Sequence, residues 1–119
     1  MLLRLDEHLP EAWDPQFAAV VAQTVKLLNA HAISLIGIDM PSLDSAQSKT
    51  RDPHRRVCAH NMTILKGLSW KEVQEGNDEP LALPLERIGL GASPARAVLC
   101  APVAPDRRGG YDVGLAASL

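Results

Sequence analysis

The sequence predicts an incomplete α/β layer with the element order β–α–β–α–β–β. Two stretches with helical spacing of apolar residues each follow an Asp-Pro pair, Asp14-Pro15 and Asp52-Pro53. An N-cap residue followed by proline in the first turn is typical of a helix start. Between them lies Ile33–Ile38, a short apolar run typical of a buried strand. A sheet with so few strands leaves an edge that needs a partner.

The first half of the sequence predicts a short strand, a loop, a helix and a buried strand. Met1–Leu5 is apolar and short, and the prolines of His8–Pro15 indicate a loop. The first helix begins at Asp14-Pro15 and ends near His31. It presents apolar positions at helical spacing: Phe17, Val20, Val21, Val25 and Leu28.

The second half begins with Asp39, which directly follows the buried strand Ile33–Ile38. Polar residues at that end of a buried strand often line a site. After a polar loop over Met40–Thr50, the pattern predicts a second helix from Asp52-Pro53 to Leu68, closed by Gly67. An edge strand that contains a proline is predicted over Leu81–Ile88, and a last strand over Ala95–Val103. We expect residues 1–104 to form one domain and residues 105–119 to be a flexible tail.

Composition excludes several classes of protein. The net charge of the 119 residues is −2, so no basic field attracts nucleic acid or a membrane surface. No apolar stretch approaches the ~20 residues that span a bilayer. Two cysteines and an acidic N-terminus predict a reduced, cytoplasmic protein. The basic residues Lys49, Arg51, Arg55 and Arg56 fit either a solvated helix start or an anion-binding patch.

His54, Cys58 and His60 form a local cluster of residue types that bind metals in proteins. His54 and Cys58 share one helical face, but His60 points elsewhere, and a zinc site needs three or four converging ligands. We therefore expect Cys58 to be a small core residue and His60 to be either a helix-surface or a hydrogen-bonded histidine. The sequence contains neither a Gly-x-Ser-x-Gly elbow nor a phosphate loop.

Five separated blocks of this sequence agree in order and spacing with one enzyme family. The blocks are Trp13-Asp14-Pro15, Leu35–Asp44, Ser48-Lys49-Thr50, Leu83-Pro84-Leu85 and Ala92–Leu99. From about Leu2 to Pro102 the chain resembles the C-terminal half of bacterial kynurenine formamidases (arylformamidases), which belong to the metal-dependent cyclase family of hydrolases. The resemblance implies the C-terminal portion of the mixed-sheet, swivelling β/β/α fold, incomplete as a monomer.

The resemblance implies zinc or another divalent metal that activates water to release formate and kynurenine from N-formylkynurenine in tryptophan degradation. Most ligands in the family come from a His-x-Gly-Thr-His-x-Asp-x-Pro-x-His motif that this sequence lacks. A family ligand histidine corresponds to His54. A family ligand glutamate corresponds to Lys66, which is not expected to bind because an ammonium group has no lone pair to offer. Gly91 stands where an aspartate is common.

No residue of the chain is assigned a catalytic role, and the substrate-side candidates are Asp39, Ser42 and Lys49. We expect a truncated or degenerate relative that neither holds zinc nor hydrolyses the formamide alone. Its expected partner is a second copy of itself or a complementing N-terminal polypeptide. The alternatives are one half of a split hydrolase, a non-catalytic interaction or oligomerisation module, and a gene remnant that still folds.

Overall fold

The computed structural model describes residues 1–6 and 12–101 and the backbone of residues 116–118. The chain divides into two compact units, residues 1–69 and residues 70–119. The first unit is a parallel sheet with two helices, and the second is an antiparallel sheet. The predicted α/β class is therefore confirmed in its coarse form, a mixed fold with both sheet types.

The sheet of the first unit is parallel, with β2 between β1 and β3. Its strands are β1 (Leu2–Leu3), β2 (Leu35–Ile38) and β3 (Thr63–Leu65). The amino group of Met1 donates to the carbonyl of Leu35 at 2.8 Å, and its partial burial lowers its pKa. Because the three strands are parallel, they all end at one edge of the sheet, where side chains of α/β proteins commonly form a site.

Two helices connect these strands and pack against each other. They are α1 (Ala22–Ala30) and α2 (Asp52–Ala59). Their apolar faces and β2 enclose the core of this unit, which centres on fully buried side chains. These are Val25, Ile36, Ile38, Met40, Leu43 and Val57.

The first helix begins later than the sequence pattern indicated. The carboxylate of Asp14 accepts a hydrogen bond from the backbone N–H of Gln16 at 2.8 Å, so the Asp-Pro pair forms a turn. The N–H of Val20 donates to the carbonyl of Leu43 at 2.8 Å, and Val21 is extended. This tertiary hydrogen bond holds the segment against the loop after β2. The predicted end near His31 is confirmed.

The second helix begins where predicted and ends earlier. Pro53 lies in its first turn, but Asn61 adopts a left-handed conformation with φ of 53°. Asparagine tolerates this conformation, which ends helices. The next residues form β3 beside β2, where Ile64 packs against the core. The prediction of a helix as far as Leu68 was therefore wrong, because strand pairing with β2 outweighed the helical pattern.

The second unit is an antiparallel sheet in the order β4-β5-β6. Its strands are β4 (Glu79–Pro84), β5 (Ala95–Cys100) and β6 (Ala116–Ser118). Both late strands of the prediction are present, but the first begins at Glu79 and ends at Pro84, earlier than predicted at both ends, and the second ends at Cys100. The predicted flexible tail, residues 105–119, lies outside the described residues apart from the backbone of β6. None of the described helices is long and apolar enough to cross a membrane.

Gly37, in the middle of β2, is buried where two leucines meet the strand. A Cβ built there would overlap a δ-methyl of Leu2 and lie 2.8 Å from a δ-methyl of Leu68. Leu68 is buried and has little room to retreat. We expect Gly37→Ala to lower the free energy of unfolding by about 1–3 kcal/mol, measured by chemical denaturation followed by circular dichroism.

Gly91→Ala is the matched control, because nothing lies within 4 Å of a Cβ at that position. We expect its free energy of unfolding to stay within about 0.5 kcal/mol of the wild type. Equal free energies for the two alanine variants would contradict the close packing of β2.

Candidate functional site

A carboxylate and an imidazole meet where the loop after β2 faces the first turn of α2. The Oδ2 atom of Asp44 and the Nδ1 atom of His54 form a hydrogen bond. The side chain of Asp44 is 5% exposed, whereas that of His54 is 32% exposed. The pair therefore has a buried carboxylate and a ring that solvent and ligands can reach.

The loop that carries Asp44 is fixed by packing and by backbone hydrogen bonds. Leu43 is fully buried in the core, and its carbonyl accepts from the N–H of Val20. The N–H of Asp44 donates to the hydroxyl of Ser42 at 3.2 Å. Because the neighbouring residue is anchored in the core, Asp44 is held in a defined position and does not lie on a free loop.

His54, the residue of the pair that lies on α2, is also held by local structure. The hydroxyl of Ser48 accepts from the N–H of Arg51 at 3.1 Å, and Arg51 has a φ of 51° directly before α2. Pro53 is buried in the first turn and sets the direction of the helix start. His54 follows immediately and projects from this turn towards Asp44.

The hydrogen bond determines which ring nitrogen of His54 is available. An ionised carboxylate only accepts hydrogen bonds, so the proton of the shared bond lies on Nδ1. In the neutral ring Nε2 then carries a lone pair. Metal-binding histidines in proteins characteristically donate their other ring N–H to a carboxylate or carbonyl in this way. The geometry therefore prepares His54 to bind a metal, or accept a proton, through Nε2.

The second carboxylate oxygen of Asp44 is buried, and no hydrogen-bond donor reaches it from the described residues. Burying an acceptor of this kind without a partner is costly and uncommon in folded proteins. A buried acceptor without a partner calls for an explanation, and a functional role of the residue is one of those known in folded proteins.

Asp39, a predicted substrate-side residue, is 3% exposed and already has several hydrogen-bond partners. Its Oδ1 accepts from the N–H of Leu5 at 3.0 Å, and its Oδ2 accepts from Leu5 and from Asp6 at 3.2 Å each. These bonds hold the segment after β1 against the end of β2. In this arrangement Asp39 anchors the edge of the sheet, and a role towards substrate stays a prediction.

The other predicted site residues are distributed differently. Ser42 is half-buried and lies next to the pair through its bond to Asp44, whereas Lys49 is exposed on the same loop. Lys66 is exposed and directly follows β3. Because the N–H of Gly67 donates to the carbonyl of Met40 at 3.1 Å, Lys66 lies at the sheet edge from which the Asp44 loop departs. It does not share a helix with His54, and the predicted common helix was wrong.

The helix α2 also determines where Cys58 and His60 lie. Its buried positions are Pro53 and Val57, and Cys58 is exposed. The expectation that Cys58 belongs to the core was therefore wrong, because the helix turns that position to solvent. His60 is exposed, as expected. No three histidine, cysteine or acidic side chains converge on a metal position within the part of the chain that the structure describes.

Asp44 is the residue whose pairing sequence reasoning missed. It lies ten residues before His54, in a loop whose path has no periodicity. The available signal was a carboxylate in the loop that follows a buried strand and precedes a helix start. Sequence spacing across a loop of this kind does not determine which side chains meet.

No family model matches the sequence. Among the solved structures that are similar to it are two hydrolases. One is described as a potential metal-dependent hydrolase with cyclase activity, with 28% identity and a TM-score of 0.70 over 76% of this chain and 44% of that chain. The other is a predicted metal-dependent hydrolase from Bacillus stearothermophilus, with 28% identity and a TM-score of 0.69 over 76% of this chain and 43% of that chain.

This chain therefore spans less than half the length of the solved structures that it matches. The resemblance to metal-dependent hydrolases of the cyclase type is confirmed at this coarse level. The narrower resemblance to kynurenine formamidases, and to their C-terminal half, stays a prediction.

The orientation of His54 predicts a measurable tautomer. We expect the ¹⁵N chemical shifts of its ring to show protonated Nδ1 in the wild type. In Asp44→Ala the shifts should move towards a mixture of tautomers, because the acceptor at Nδ1 is gone. His31, whose Nδ1 lies 2.9 Å from the carbonyl of Leu27, serves as an internal control with unchanged shifts. Identical His54 tautomers in both proteins would show that the pair does not orient the ring.

Proposed function

We propose that this chain is part of a metal-dependent amide hydrolase, with His54 as one ligand of a divalent metal and Asp44 as the residue that orients it. The carrying observation is the hydrogen bond between Nδ1 of His54 and the buried carboxylate of Asp44, which leaves Nε2 available. The similarity to metal-dependent hydrolases supports the same reading. His54 is also the ligand position that the sequence resemblance indicated.

The residues present fit one part of a metal centre. Zinc in a catalytic site typically takes three protein ligands and a water molecule. His54 fits as one of them, while Lys66 does not, because its ammonium group has no lone pair and repels a cation. We infer that the other ligands lie outside the described residues. A polypeptide with the His-x-Gly-Thr-His-x-Asp-x-Pro-x-His motif is the partner that the resemblance implies.

The proposed reaction is hydrolysis of the formamide of N-formylkynurenine. Water adds to the formyl carbon, the carbon–nitrogen bond breaks, and the aryl amine takes up a proton to give kynurenine and formate. A divalent metal, when bound, polarises the carbonyl and lowers the pKa of its bound water. In this chain Asp44 keeps the proton on Nδ1, so that Nε2 of His54 stays directed at the metal position.

In this proposal the residues that contact the substrate lie on the loop before α2. Lys49 is exposed there and offers a positive charge to the amino-acid carboxylate of the substrate. Ser42 lies beside Asp44 and offers a hydroxyl group. Cys58 and Cys100 are both free thiols, which is compatible with the proposed cytoplasmic location.

A non-catalytic interaction module is the second candidate. The observation that favours it is the exposure of several large apolar side chains in the second unit, among them Leu83 and Ile88. Exposed apolar clusters commonly mark surfaces that bind another protein. The two candidates differ in whether His54 matters: a hydrolase needs it and an interaction module does not.

The chain by itself is expected to have no formamidase activity. The purified chain is not expected to retain zinc through one imidazole, because stable zinc sites need several ligands. We would assay release of kynurenine from N-formylkynurenine with added zinc, against a control with zinc alone. Turnover above that control, abolished by His54→Ala and retained by His60→Ala, would contradict this prediction.

Exchange of Lys66 for glutamate is expected to improve metal retention when the chain is paired with the motif-bearing half of an active relative. The carboxylate supplies the lone pairs that an ammonium group lacks and removes a positive charge near the cation. We expect at least about a tenfold gain in retained zinc, measured by atomic emission after gel filtration, because even residues that only support a metal ligand change metal affinity by about 10–100-fold.

Two further variants separate the explanations. His54→Ala in the Lys66→Glu background should lose the gained zinc, whereas His60→Ala, which removes an exposed histidine, should keep it. Equal zinc content with lysine and with glutamate at position 66 would show that Lys66 is not at the metal position. The correspondence between Lys66 and the family's glutamate ligand would then have to be rejected.

A further inference from the structure

The helix α2 carries a histidine and a cysteine one helical turn apart, beside its buried face. The buried positions of this helix are Pro53 and Val57, and His54 and Cys58 each directly follow one of them. Helix residues four apart share one face, with their Cβ atoms about 5–6 Å apart. His54 and Cys58 therefore form a stripe at the border between the buried face of α2 and solvent.

The exposure of Cys58 is unusual for a free cysteine. Free cysteines are among the most buried residue types in proteins, whereas α2 turns this thiol to solvent. A helical side chain leans towards the N-terminus of its helix, which directs Cys58 to the turn that carries His54. Thiolate and imidazole are the two ligand types that zinc sites use most. The stripe thus places two suitable zinc ligands next to each other.

The hydrogen bond to Asp44 prepares His54 for this role. Because Nδ1 donates to the carboxylate, the lone pair of the neutral ring lies on Nε2. A carboxylate at Nδ1 also makes the ring a more basic ligand. The side chain of His54 is 32% exposed, so a hydrated ion can reach the ring from solvent.

The arginines of α2 leave the stripe accessible to a cation. At about 100° per residue, Arg56 lies about 160° around the helix from Cys58 and therefore projects from the other side. Arg55 lies closer to the stripe, but it is exposed, and its long side chain can extend into water. The negative charge of a Cys58 thiolate offsets the positive charge of this arginine where the ion binds.

We propose that Nε2 of His54 and the thiolate of Cys58 together bind one zinc ion on the isolated chain, with water as the remaining ligands. Ligands at positions i and i+4 of one helix bind zinc in this way in metalloproteases. The thiol proton passes to solvent as the ion binds.

Two protein ligands hold zinc less firmly than the four of a structural site, so this ion exchanges with solvent and is lost on gel filtration. The proposal rests on the proposed role of His54 as a metal ligand. It adds a site that the chain has by itself, whereas the other members of the catalytic ligand set proposed above lie outside the described residues.

The first test is titration of the full chain, under reducing conditions, with cobalt(II), a substitute for zinc whose bond to a thiolate gives a charge-transfer absorption band. We expect the band to saturate at about one cobalt per chain and to disappear when zinc is added in excess. Cys58→Ser should abolish the band, and His54→Ala should raise the dissociation constant at least about tenfold. Cys100→Ser and His60→Ala are the matched controls and should leave it within about twofold.

The second test moves the thiol around the helix. In the double variant Cys58→Ser with Ala59→Cys, the thiol stays on the exposed surface of α2 but lies about 100° further round. We expect its dissociation constant for cobalt to be at least about tenfold higher than that of the wild type, because the thiol no longer shares a face with His54. Circular dichroism verifies that every variant remains folded.

Four outcomes would overturn the proposal: no band in the wild type, a band that survives Cys58→Ser, a dissociation constant that His54→Ala leaves unchanged, or full recovery by the moved cysteine. The ¹⁵N chemical shift of Nε2 of His54 at millimolar zinc separates this proposal from the proposed function. If zinc moves the shift equally in the wild type and in Cys58→Ser, Cys58 is not a ligand and the role of His54 stands. If zinc moves it in neither protein, both proposals fail.

Discussion

The central strand β2 is the constraint on which the rest of the first unit depends. It pairs with a strand on each side, and its residues from Ile36 to Ile38 are buried. Gly37 leaves room for leucines from the neighbouring segments, and Asp39 ties the segment after β1 to the same sheet edge. The loop that follows β2 is held by buried Leu43, and this fixes Asp44 beside the helix that carries His54.

Sequence reasoning predicted the elements whose local signals agree with their packing. The start of α2 at Asp52-Pro53 and the buried strand before Asp39 are of this kind. It missed the late start of α1 and the early end of α2, because a tertiary hydrogen bond at Val20 and strand pairing after Asn61 decided them. Local propensity does not include such contacts.

The candidate site was predicted in the same partial way. His54 was found through its resemblance to a family ligand position, and its orientation was not, since Asp44 reaches it across an irregular loop. Lys66 lies at the sheet edge from which the Asp44 loop departs because of a backbone hydrogen bond between Gly67 and Met40, which sequence spacing does not predict. The chain therefore combines one oriented imidazole with a lysine at the position that the resemblance assigns to a carboxylate ligand, and that assignment stays a prediction.

The most direct test of this account is the position of a metal ion in crystals soaked in millimolar zinc, a concentration that loads even a single imidazole that does not retain zinc on purification, with the ion located by anomalous scattering. The account predicts a zinc ion about 2.0–2.1 Å from Nε2 of His54, with Nδ1 still bonded to Asp44. Zinc bound at Nδ1, or zinc bound elsewhere with His54 unoccupied, would contradict the claim that Asp44 orients His54 as a metal ligand.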